Sequence, residues 1–137
     1  MTRHKTLPSL GKMLSIMSRC YHQYMLKIIS PLGLNMTGLA IIMGLYSDSG
    51  MSLNEFSKAK RINKALLSKV LQSLQAAGFV KTIPDPNHKQ RLQLFLTEKA
   101  NELVPELRKS LIAYEKTVLG DLSSEERHQF LCLLERV

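Results

Sequence analysis

Cysteine is scarce. Cys20 and Cys132 are the only two in 137 residues, too few for a disulfide framework. No uninterrupted apolar run reaches the roughly 18 to 20 residues that a membrane-spanning helix needs. The opening Met1-Thr2-Arg3-His4-Lys5 is basic, but no hydrophobic stretch with a small-residue cleavage site follows it, so it does not read as a signal peptide. A reducing cytoplasm, with no membrane partner, is the expected setting. Patterns that carry chemistry are missing as well. His4, His22, His88 and His128 lie far apart, and none is expected to have a cysteine, aspartate or histidine at metal-ligand spacing. There is no glycine-rich phosphate loop and no serine elbow. The paired acids Glu125-Glu126 sit at a helix start, where the dipole favours them. The chain does not read as an enzyme, and no pattern calls for a metal or a cofactor.

What is present is an ordinary globular composition, with 45% apolar and 22% charged residues. The length suits one domain spanning residues 1–137. Its organising stretch runs from Ser52 to Thr97. Ser52-Leu53-Asn54-Glu55 is a capping box, which predicts a helix start. That helix loses its pattern near Arg61-Ile62, and Asn63 can cap a second helix from Lys64. In the second helix Leu67, Val70, Leu71 and Leu74 form one apolar stripe. Lys64, Ala65, Ser68, Lys69 and Gln72 point the other way, and Gly78 supplies a left-handed stop. The period then changes. Phe79–Ile83 predicts a strand, Pro84–His88 a turn, and Leu92–Leu96 the returning strand.

Two helices across a tight turn, followed by a β-hairpin, predict a winged helix-turn-helix over residues 35–97, whose second helix suits a DNA major groove. Charge supports that over a packing unit that touches nothing. Between Met51 and Arg91 eight basic residues face only Glu55 and Asp85, whereas from Leu92 to Val137 six positive charges face eight negative. A basic face confined to the segment with the groove-sized helix is the footprint of phosphate contacts. Ser68 and Gln72 are the base-edge candidates, because glutamine can pair with adenine bidentately. Lys64 and Lys69 are placed to bridge bases and phosphates. Lys58, Lys60 and Arg61 are expected at backbone phosphates, and Asn63 and Ala65, at the same helix start, are expected DNA contacts as well.

At these residues the chain resembles a known family. A capped short helix, a second helix ending Leu74-Gln75-Ala76-Ala77-Gly78-Phe79-Val80, a turn at Asp85-Pro86, and Leu96-Thr97-Glu98-Lys99 follow the order seen in the MarR family of bacterial transcriptional regulators. The resemblance covers nearly the whole chain. It implies a homodimer bound to double-stranded DNA, typically a repressor, released by a small aromatic or anionic ligand or by oxidation. In the family an acid at the wing tip is usually followed two residues later by an arginine that enters the minor groove. Those positions fall on His88 and Gln90 here, flanked by Lys89 and Arg91. His88, Lys89 and Arg91 are therefore the expected wing contacts. The altered tip leaves open a winged-helix protein-interaction module that does not read DNA, or an architectural binder with little sequence preference.

The flanks, residues 9–30 and 98–137, predict a helical dimerisation region, giving a mainly α chain with a small β-hairpin wing. Pro8 precedes a first helix from Ser9 to about Ser30, striped by Leu10, Leu14, Met17, Tyr21, Tyr24 and Ile28. Asn35-Met36-Thr37 caps a helix that is apolar nearly all round and therefore buried on several sides. Thr97 to about Leu119 is a long helix with Leu103, Leu107, Leu111, Tyr114 and Val118 on one side. Pro105 either kinks it or marks where its regular part begins. Ser123-Ser124-Glu125-Glu126 is a second capping box opening a last short helix. Two further sites are expected. Arg19, Tyr21, His22, Tyr24, Met25, Met36, Met43 and Tyr46 concentrate soft, aromatic and basic side chains as an effector pocket, against the alternative of a methionine-rich core; Lys27 is a further cation for an anionic ligand. Cys20 is a redox candidate beside Tyr21, His22 and Tyr24; the family's sensing position falls near Met13, about two turns earlier. Cys132 is expected to be packing.

Overall fold

The computed structural model describes residues 9–137; His4 and Pro8 lie outside them. Helix α1 (Leu10–Ile29) starts at Ser9, whose hydroxyl accepts from the Lys12 N–H, and ends in a 3₁₀ turn, Ser30–Leu32, closed by Gly33 at φ 73°. Asn35 caps α2 (Met36–Ser47) through its side-chain oxygen on the Gly38 N–H. Both bonds of the Ser52/Glu55 capping box are made at the start of α3 (Leu53–Lys60). Asn63 Oδ1 accepts from the N–H groups of Ala65 and Leu66 at the start of α4 (Lys64–Ala76). Helix α5 runs Glu98–Val118 and α6 Ser124–Glu135, the latter opened by the Ser123/Glu126 capping box. These caps satisfy N–H groups that have no partner inside their own helix.

Helix α2 is the hub. Leu39, Ile41, Ile42 and Leu45 are buried against Met25 and Ile29 of α1, Phe56 of α3, the Leu67–Leu74 stripe of α4, and Ala100, Val104 and Leu107 of α5. Gly44 leaves room for the Phe56 ring of α3: a Cβ there would lie 2.8 Å from Phe56 Cζ. Helix α4 ends in a Schellman turn, with the Phe79 N–H on the Leu74 carbonyl, the Gly78 N–H on the Gln75 carbonyl, and Gly78 at φ 80°. The Leu96-Thr97-Glu98-Lys99 segment fastens that turn to α5. Thr97 Oγ1 donates to the Gly78 carbonyl at 2.6 Å and accepts from the Ala100 N–H, and Lys99 Nζ reaches the Ala77 carbonyl at 2.8 Å.

The hairpin differs from the expected one. Strand β1 is Val80–Asp85 and β2 is His88–Leu96, so only Pro86-Asn87 form the turn and Pro84 lies inside a strand. Proline is tolerated there because β1 is a sheet edge; β2 has a further neighbour on its other side, through a bridge between Ser52 and Gln93. The antiparallel register runs Val80↔Leu96 to Pro84↔Leu92, then jumps to Asp85↔His88. Lys89, Gln90 and Arg91 are thus left without a partner on β1. Helix α5 carries Pro105 within one continuous element. Of its expected stripe, Leu107 is buried, Leu103, Leu111 and Tyr114 are half-buried and Val118 is exposed.

The two ends of the helical flanks behave alike. Every residue of α1 from Leu10 to Cys20 is exposed, among them Leu10, Met13, Leu14, Ile16 and Met17. Helix α6 has no buried residue, and Leu131, Leu133 and Leu134 are exposed. No single described helix is long and apolar enough to cross a membrane.

Candidate nucleic-acid interface

Helix α4 turns its apolar stripe inward and leaves Lys64, Ala65, Lys69 and Gln72 exposed, with Ser68 half-buried at the edge of that face. The turn leading into it is tight. Arg61 ends α3 at φ 53°, a left-handed conformation a non-glycine residue rarely adopts, while the Ser57 hydroxyl donates to the Ile62 carbonyl at 2.7 Å. Arg61 and Lys58 are exposed. Lys60 is half-buried and pairs with Asp48 at 2.7 Å. Asn63 is exposed, but its side-chain oxygen is committed to capping α4.

At the hairpin, His88 and Lys89 are exposed at the tip. Arg91 turns back toward the helices: its Nη2 donates to Glu55 Oε1, and its Nε lies 3.9 Å from Asp85 Oδ2. Asp85, the one buried charged residue among those described, also accepts from the Asn87 N–H and so shapes the turn. The Arg91 guanidinium, and then the Ser52 N–H, hold the Glu55 carboxyl below its ordinary value. Because that shift is downward, its contribution to stability is complete above the unfolded carboxylate range, near pH 4.3. It fades as pH falls through the lower folded value. Carbon-detected NMR titration should show the Glu55 carboxyl moving to higher pH in an Arg91→Gln variant; an unmoved midpoint would mean that the pair does not form in solution.

The expected effector residues divide. Tyr21 and His22 of α1 and Met36 and Met43 of α2 do line a cleft of about 660 Å³, together with Ile62 and Leu66. Arg61 and Asn63, expected only at DNA, also line it, so the cleft and the helix-turn-helix share a wall. Met25 is not a pocket residue: it has no exposure, belongs to the core and does not line the cleft. Tyr24 packs at a tilt against Tyr114, with 5.0 Å between ring centroids, Tyr46 is exposed, and Arg19 is exposed on the outer half of α1; none of the three lines the cleft. Tyr21 packs edge-on against Tyr114 at 5.5 Å, and burial, with Tyr114 second, pushes its phenol pKa up, so it stays neutral at neutral pH.

Both thiols are exposed and free. Cys132, expected to be packing, is exposed in the single chain, where α6 buries only Arg127 and Phe130 in part. His128 does have a cysteine one helical turn away, with its Nε2 3.6 Å from Cys132 Sγ, contrary to the expected spacing. Among the described residues, no three histidine, cysteine or acidic side chains are grouped to hold a metal. Leu66 is a lining residue that the helical period alone marks out: it lies about 100° from Leu67 and is 46% exposed between the cleft and the polar face.

No model of a known protein family matches the chain. Among solved structures, a MarR transcriptional regulator from Methanosarcina mazei Go1 is 25% identical, with a TM-score of 0.84 over 92% of this chain and 91% of that one. The fold is that of the MarR family. A mutant MarR from E. coli complexed with operator DNA shares the MarR fold at a TM-score of 0.81 and 17% identity, over 93% of this chain and 91% of that one. Among curated proteins, the uncharacterized HTH-type transcriptional regulator YybA of Bacillus subtilis (strain 168) is 25% identical over 96 residues. That match covers 70% of this chain and 64% of YybA, so the chain spans under two thirds of this relative's length. These similar proteins are regulators, not enzymes.

Proposed function

We propose that the chain is a cytoplasmic, homodimeric DNA-binding transcriptional regulator that acts as a repressor and is released by a small aromatic or anionic ligand. The observation that carries this reading is α4: a firmly capped helix on a buried stripe that leaves Lys64, Ala65, Lys69 and Gln72 outward. Ser68 and Gln72 read base edges; Lys64 and Lys69 bridge bases and phosphates; Lys58 and Arg61 hold the backbone, with Lys60 and Asn63 beside them. His88 and Lys89 at the hairpin tip reach the adjoining groove. The exposed apolar ends of α1 and α6 support a dimer, whose interface would bury about 2,000 Å² or more. The 660 Å³ cleft supports a ligand that alters how the two recognition helices are spaced.

The test is binding to DNA upstream of the protein's own gene, against scrambled DNA, across a salt series. Preference of roughly 10³-fold or more, with a steep salt slope, is expected. Gln72→Ala should relax preference at one base position by about 1–3 kcal/mol and leave the salt slope unchanged. Lys58→Ala should weaken every sequence alike and flatten the slope by about one. A Gln72 variant that weakens all sequences equally would remove that residue from base readout. A protein-interaction module is the second reading, favoured by Ile83 and Leu92, which stand exposed on the hairpin; it predicts no DNA binding even at low salt.

A further inference from the structure

We infer that Arg91 is a strap rather than a DNA contact, and that Glu55 is thereby a positioning residue setting the distance between recognition helix and wing; this rests on the DNA-binding reading above. The hairpin register provides the need. Beyond Pro84↔Leu92 the ladder loses three residues of β2, so no pairing in the ladder to β1 holds Lys89, Gln90 and Arg91 in place. An open cleft of about 570 Å³ separates Gln90 and Arg91 from Asn54 and Glu55 at the start of α3 and from Lys64 at the start of α4. The base of the hairpin is held by the Ser52–Gln93 bridge and by the Leu94 N–H on the Met51 carbonyl, so the segment left loose is the tip. Without a tie there, Lys89 and Lys64 would sample a range of separations.

Arg91 supplies the tie. Its guanidinium reaches Glu55 on α3 and lies beside Asp85 on β1, joining helix-turn-helix, turn and bulge through one planar group. The Nε is shielded from solvent and makes no hydrogen bond; it lies 3.9 Å from Asp85 Oδ2, so that arm of the strap is an ion pair alone. Glu55 in turn is fixed by its second oxygen, which accepts from the Ser52 N–H at 2.9 Å in the capping box. A fork with five donors in one plane suits this bridging; a lysine does not.

The experiment compares wild type with Glu55→Gln, Arg91→Gln, Arg91→Lys and the Glu55/Arg91 double glutamine variant. Glutamine at position 55 keeps the capping box, so only the strap is removed. Two readouts are taken. Without DNA, hydrogen exchange of the β1–β2 amides should quicken about threefold to fivefold in both single glutamine variants, and no further in the double variant. With upstream DNA, affinity should fall by a similar factor in both, again without addition, and the salt slope should keep its wild-type value. Arg91→Lys should behave like Arg91→Gln, because charge alone does not bridge two carboxylates. Three results would overturn the inference: tighter DNA binding by Glu55→Gln, a slope flattened by about one in Arg91→Gln, or unchanged exchange in both single variants. If wild type binds no DNA, the regulator reading fails, while the exchange data still decide whether the strap exists.

Discussion

Replacing Phe56 by alanine is expected to lower the unfolding free energy by about 3–5 kcal/mol. Phe56 has no exposure and is the largest fully buried side chain described. It fills the space where α3 meets α2 against Gly44, and that glycine has no side chain with which to fill the void left behind. A loss of this size is a large fraction of the 5–15 kcal/mol typical of a folded domain. Urea denaturation at fixed protein concentration is the measurement, since the stability of the proposed dimer depends on concentration. The midpoint should drop sharply, and a loss below about 1 kcal/mol would mean that α3 is not packed on α2 as described. DNA binding should fall with it, because α3 carries Lys58 and sets the angle at which α4 is presented.

The second large effect concerns assembly. Leu14 on α1 and Leu134 on α6 are both exposed in the single chain, on the two segments that hold no buried residue of their own. Leu14→Asp combined with Leu134→Asp should give a folded monomer by sedimentation velocity, because neither residue contributes to the core around α2. Operator affinity should drop by about 10²-fold or more, since two recognition helices held in one particle bind with an avidity that separate monomers lack. A variant that stays dimeric places the interface elsewhere. A monomer that keeps full affinity would show that one helix-turn-helix is enough.

How much of this was legible in sequence follows from the range of the interactions. Caps are local. Ser52 with Glu55, Asn63, Thr97, Ser123 with Glu126 and the glycine at 78 each act within a few residues, and each helix begins or ends where they place it. The α4 stripe was equally legible, because a period of 3.6 sorts Leu67, Val70, Leu71 and Leu74 to one side without knowledge of the partner. Contacts between distant segments were not. Glu55 and Arg91 are separated by 36 positions, and nothing near either residue announces the pair. The pairing of Lys60 with Asp48 across the α2–α3 loop was hidden for the same reason.

The hairpin boundary moved because prolines were read as strand breakers, whereas an edge strand accommodates Pro84 and the tight turn takes Pro86. The effector residues scattered because composition along α1 and α2 does not say which side of the helix faces the cleft. Tyr21 and Met25 are one turn apart, yet one lines the cleft and the other is core. Cys132 is exposed because its turn of α6 lies outside the chain's own core.

A hydroxyl-radical footprint of the protein on its upstream DNA tests the central claim most directly. The account predicts two protected patches on one face of the duplex, centred about 10 base pairs, or roughly 34 Å, apart, with protection at the outer edges where the hairpins lie. A single patch, or protection spread evenly along the fragment, would contradict a twofold regulator that reads DNA through α4.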